Sequence, residues 1–109
     1  MFSFTEVKID DIPYDVEELI IKLDAKRPHL KNWYDVGRKL GVSAEDLEQL
    51  KREDDREGGS PTRCLLSLLR TYEEIVSLRK FVHVLYDLRR SDIAKRICEF
   101  YKGNRNTAV

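Results

Sequence analysis

Apolar residues return at helical spacing in nearly every segment of this 109-residue chain, and no run alternates at the strand period for long. Each segment therefore has one stripe to bury, which predicts an all-α fold. Val16, Leu19, Ile20 and Leu23 form a first stripe, stopped ahead of Pro28, whose ring disfavours helix in the residue before it. Ile21 projects away from that stripe. Trp33, Val36, Gly37 and Leu40 form a second, closed by Gly41, the residue type that best accepts a left-handed cap. Ser43 opens a third helix with Asp46 at the capping-box position and Leu47 and Leu50 inside. Residues 52–60 then turn polar and Gly58-Gly59 breaks any helix, so this is the longest internal loop. Ser60-Pro61 reads as the cap and first-turn proline of a fourth helix over residues 61–72. Its Leu65, Leu66, Leu68 and Leu69 make a face wide enough for the centre of the molecule. Ser77 caps a fifth helix on Leu78, Phe81, Val82, Leu85 and Leu88, and Ser91 a sixth on Ile93, Ile97, Phe100 and Tyr101.

One domain accommodates this length, with enough burial for a core that needs no metal or disulfide staple. Residues 11–102 carry the six stripes; residues 1–10 read as an N-terminal extension and residues 103–109 as a flexible tail. Twenty basic residues balance twenty acidic ones, so no net charge draws the whole molecule to nucleic acid or an anionic membrane. No apolar stretch approaches the ~20 residues of a membrane span. The first residues lack the basic start and apolar run of a secretory signal, and the expected compartment is cytoplasmic. Cys64 and Cys98 are too few for a secreted disulfide scaffold and are expected as thiols beside apolar surface.

Three strings stand out in order along the chain. The first is Asn32-Trp33-x-x-Val36-x-x-x-Leu40-Gly41-Val42-Ser43-x-x-Asp46-Leu47. Ser60-Pro61-Thr62-Arg63-x-Leu65-Leu66 follows, and then Leu85-x-x-Leu88-x-Arg90-x-Asp92-Ile93. With six short helices, one tryptophan opening the second and a Leu-Gly-Val-Ser junction before the third, the chain resembles the death domain. The second tryptophan that many death domains place near the end of helix four is Leu69 here. Arg90-x-Asp92-Ile93 is similar to a signature of the sister death effector domains, while Trp33 and Ser60-Pro61-Thr62 favour the death domain proper. The resemblance implies a six-helix antiparallel bundle of death-fold type. It also implies a module without enzymatic activity or cofactor, which assembles signalling complexes of the apoptosis or innate-immune type by pairing with other death-domain proteins, itself among them. Trp33 should anchor helix two against the fifth or sixth helix. Leu40, Leu47, Leu65, Leu69, Phe81, Leu85, Ile93 and Ile97 should complete the core.

The neutral chain is polarised along its length. Residues 6–24 hold seven acids and two bases, residues 26–41 five bases and one acid, residues 42–57 seven acids and three bases, and residues 78–105 eight bases and three acids. On a helical wheel Lys31, Arg38 and Lys39 lie opposite Trp33 and Leu40, and Glu45, Glu48 and Glu53 lie opposite Leu47 and Leu50; Asp54 follows Glu53 in sequence and is counted with the acidic set. A basic and an acidic face are thus expected to reach solvent and to dock head-to-tail onto a partner. The bland reading is that such runs solvate helices, with Glu48 and Arg52 pairing internally at i, i+4.

Other functions have weaker warrants. Residues 36–43 also read as the junction of a helix-turn-helix, the alternative nucleic-acid-binding reading, in which the next helix enters the major groove. That helix carries Glu45, Asp46, Glu48 and Glu53, which reverses the electrostatic attraction such binding needs, so no nucleic acid partner is expected. His29 and His83 have no evident nucleophile, base and orienting group around them. The two cysteines and two histidines lack zinc spacing, and residues 54–58 lack alternating calcium ligands. Thr107-Ala108-Val109 has the form of a carboxylate-terminal ligand for a PDZ domain, which would pocket Val109.

Overall fold

The computed structural model describes residues 7–25, 30–72 and 76–107, the last five of these by backbone alone. Pro28, His29 and Val109 lie outside them. The described residues form six α-helices: α1 Tyr14–Ile20, α2 Trp33–Lys39, α3 Ala44–Asp55, α4 Pro61–Leu69, α5 Leu78–Asp87 and α6 Ser91–Thr107. A 3-10 turn at Ile9–Asp11 precedes α1, and another at Ile21–Asp24 continues it. The fold is the all-α six-helix bundle expected from the apolar spacing.

Helices this short are marginal alone, so their ends matter. Ser43 Oγ accepts the Asp46 N–H, Ser60 Oγ the Arg63 N–H and Ser77 Oγ the Lys80 N–H, which satisfies one orphan donor at each helix start. The reciprocal capping box forms at α2: Asn32 Oδ1 accepts the Tyr34 N–H, and the Asp35 carboxylate accepts the Asn32 N–H. The spacing predicts that box at Ser43, where Ser43 accepts the Asp46 N–H without the reciprocal bond. Asn32 can serve because its carboxamide offers the acceptor that a serine hydroxyl would. Ser91 is not a cap; it is the first residue of α6, and the Arg90 carbonyl accepts the first helical bond, from the Ala94 N–H.

α4 is central. Leu65, Leu66 and Leu69 are fully buried, and the helix packs against α2, α3 and both 3-10 segments. Its N-terminus is tied down twice, since the Asp24 carboxylate accepts both the Ser60 hydroxyl and the Thr62 N–H at 2.8 Å. Arg63 reaches from α4 to Glu18 of α1 at 3.0 Å. Trp33, Leu47, Leu65, Leu69, Phe81, Leu85, Ile93 and Ile97 are all buried as expected, Trp33 on α2, which packs against α3, α4 and α5. Leu40 is the exception. It caps α2 half-buried, because the chain turns away at Gly41 one residue later.

Four boundaries differ from the sequence reading. The third helix runs through the polar stretch to Asp55, since loss of an apolar face moves a helix into water without ending it; the break comes at the glycines. There a Cβ on Gly59 would stand 2.1 Å from the Glu53 carbonyl oxygen, so only glycine lets the loop fold back onto α3. α4 ends at Leu69 rather than Tyr72. The sixth helix continues past Lys102 to Thr107. At the other end, Ile9 lies inside the stretch read as an extension yet is fully buried, and Ile9 N–H donates to the Val76 carbonyl while Leu78 N–H donates to the Val7 carbonyl. That two-bond clasp joins the chain start to α5.

Three described residues use the left-handed region, Gly58 in the loop after α3 and one at each of two helix junctions. Gly41, at φ +85°, lets α2 and α3 meet across one tight junction. Arg89, at φ +60°, does the same between α5 and α6 without a glycine's freedom. Left-handed backbone costs an L-residue about 1–2 kcal/mol, partly offset by the greater unfolded-state freedom of glycine. Gly41→Ala should therefore destabilise the domain by about 1 kcal/mol, and Arg89→Gly should stabilise it by about 0.5–1 kcal/mol. Urea unfolding of both variants checks this, and destabilisation by Arg89→Gly would show that the corner is not strained.

Candidate functional site

α2 and the residues just before it present a group of cations on one side. Lys31, Arg38 and Lys39, all exposed, line an open cavity of about 270 Å³ together with Asp35 and Leu88. None of the three cations has an ion-pair partner among the described residues. Asp35 accepts the Asn32 N–H, and three cations against its one carboxylate leave the cavity cationic. Arg38 and Lys39 sit in the last turn of α2, where cations also complement the helix dipole. Leu88, the C-cap of α5, supplies the apolar wall.

The expected acidic face divides. Glu45 and Glu48 are exposed on α3. Glu53 and Asp54 are half-buried, and Glu53 is engaged with Arg56 at 3.3 Å beside the Gly59 loop. Glu53 is thus held against the turn that ends its own helix, and the acidic surface free for docking narrows to Glu45 and Glu48. Glu48 and Arg52 do not pair, so the internal neutralisation that spacing allowed is not formed.

Arg90 is the residue whose role the sequence left unassigned. It is only 4% exposed. Its Nε and Nη2 donate to the two carboxylate oxygens of Asp92, both at 3.1 Å, and its Nη1 donates to the carbonyl of Lys31. The Arg-x-Asp string was visible as a motif, but nothing local pointed to an acceptor 59 positions away. Arg90 and Asp92 also border a second cavity of about 350 Å³ with Ile21, Lys22, Ala25 and Leu30, where Ile21 is half-buried.

Little here resembles a reaction centre. His83 is exposed and 3.9 Å from Asp87. Cys64 and Cys98 are free and half-buried, and burial pushes both thiols above their usual range, away from the reactive thiolate. Among the described residues no group of three or more His, Cys, Asp or Glu could hold a metal ion, and no helix is long and apolar enough to cross a membrane.

The family model for the Death domain matches residues 17–100, well over half of the chain. The chain belongs to the death-domain family. Neither the curated proteins nor the solved structures gave a match. As a death domain it is a non-enzymatic protein–protein interaction module of signalling.

The Arg90 guanidinium holds the Asp92 carboxyl below the usual carboxylate range, chiefly by hydrogen bonding. A folded pKa below the unfolded one stabilises the domain above the unfolded pKa, and the contribution is lost as pH falls through the folded value. Asp92 is half-exposed, so Asp92→Asn should cost only about 1 kcal/mol at neutral pH and should flatten the loss of stability below about pH 4. Urea unfolding between neutral and acid pH checks both, and an unchanged acid limb would show that the pair does not titrate with folding.

Proposed function

We propose that this death domain assembles head-to-tail in the cytoplasm with other death domains, a second copy of itself among them. The basic cavity of α2 takes the Glu45 and Glu48 face of the neighbour's α3. The reading belongs to an intracellular signalling complex of the apoptosis or innate-immune type. The observation that carries it is the pairing of three cations around one cavity, without ion-pair partners among the described residues, with two exposed acids on the next helix of the same chain. Unlike patches on one molecule make a heterologous contact, which propagates into rings or filaments instead of closing as a two-fold dimer.

Magnitudes set the form of the contact. An exposed ion pair contributes only ~0.2–1 kcal/mol and is screened by salt, so several must act together. The helix-turn-helix reading gains no support from the structure, because the exposed face of α3 carries the two glutamates that would meet phosphates.

Size-exclusion chromatography with light scattering at two salt concentrations tests this on the wild type, Arg38→Glu and Glu45→Lys. The wild type should assemble at low salt and dissociate at high salt. Each single variant should stay monomeric, and mixing the two should restore part of the assembly. Assembly indifferent to salt, or unchanged by both reversals, would overturn the reading.

A further inference from the structure

We propose that Arg90 is a positioning residue for the basic cavity, acting through Lys31 from the α5–α6 corner; this rests on the docking role of that cavity. Of the described polar and charged residues only Thr62 and Arg90 are buried. A buried guanidinium is costly unless its donors are met, and an apolar side chain of similar volume often stabilises as well or better. What an apolar side chain cannot do is fix a distant backbone group. Arg90 does so, since its Nη1 grips the Lys31 carbonyl while Asp92 holds the other side of the fork. That carbonyl stands one residue before the Asn32 cap, where the chain enters α2, and its orientation sets the direction from which the Lys31 side chain leaves.

The corner itself is built for this. Left-handed Arg89 turns the chain so that Arg90 N–H donates to the Leu85 carbonyl at 2.7 Å and the Arg90 side chain points inward. Two residues earlier, Leu88 forms a wall of the same cavity. Residues 88–90 thus supply both an apolar wall and the tether for one cationic rim group. A lysine at position 90 would have the charge without the fork: a single ammonium cannot grip both carboxylate oxygens and a carbonyl in fixed directions.

The test is a double-mutant cycle on the full chain, with self-association read by sedimentation equilibrium at low salt and folding read by urea unfolding. Lys31→Ala and Arg90→Lys should each weaken association by about threefold, the loss of one exposed ion pair. Their double variant should also lose about threefold, because both remove the same contact, whereas Arg90→Lys with Lys39→Ala should lose about ninefold as independent effects. Asp92→Asn, which changes an exposed side chain, should reproduce the Lys31-specific coupling even if Arg90→Lys does not fold. A purely structural Arg90 would show no preference between Lys31 and Lys39. Losses that multiply with Lys31→Ala, or folded variants that associate like wild type, overturn the positioning role and leave the docking reading intact. Lys31→Ala associating like wild type, or a wild type that does not associate, overturns both.

Discussion

Everything in this molecule is arranged around the burial of α4. Pro61–Leu69 is too short to persist alone and carries Leu65, Leu66 and Leu69 with no exposure at all, so the chain must bring apolar surface to it from several directions. α2, α3 and the 3-10 segments do this, and Asp24 locks the arrangement by capping the same helix that the segment around it covers. Because the apolar residues of the neighbouring helices are spent inward, their charged residues are left outside in blocks. The sign pattern along the chain becomes a sign pattern over the surface.

The blocks are not equally available. At α2 the cations converge on one cavity with no ion-pair partner among the described residues; on α3 Glu53 is drawn into the turn at Gly59 and Asp54 is half-buried, while Glu45 and Glu48 reach out. A death domain of this kind has small patches of either sign on consecutive helices, joined by a single left-handed turn at Gly41. On the proposed docking mode a neighbour would be held by a few charges rather than by many, and the buried Arg90, which bonds the Lys31 carbonyl, would bear on a surface it does not itself reach.

Much of this was legible from local chemistry. Helix number, the Gly41 junction, the serine caps at 43, 60 and 77 and nearly all core anchors follow from spacing and capping rules that act within one turn. The basic face was legible for the same reason, since Arg38 and Lys39 lie in the last turn of α2 and Lys31 just ahead of its cap, away from Trp33. What local rules missed depends on distant partners. Arg90 was legible only as a member of a motif, Ile9 only as part of an N-terminal extension, and Asp24 only as one acid among seven in its segment. Leu40 looked like core because the helical stripe includes it, but the turn that follows takes it half out. Glu53 looked free because the loop that folds back on it is set by a glycine contact, not by charge, and Asp54, four residues past Leu50, shares the inner side of α3 and is half-buried.

The claim on which the account depends is that α2 and α3 are the surfaces by which copies meet. Residue-resolved amide shifts, followed from dilute to concentrated protein at low salt, test it without any substitution. The account requires the amides of Lys31, Arg38, Lys39 and Leu88 to move together with those of Glu45 and Glu48, while core amides such as Leu65 and Phe81 stay fixed. Shifts confined to another face, or none at any concentration, would contradict it.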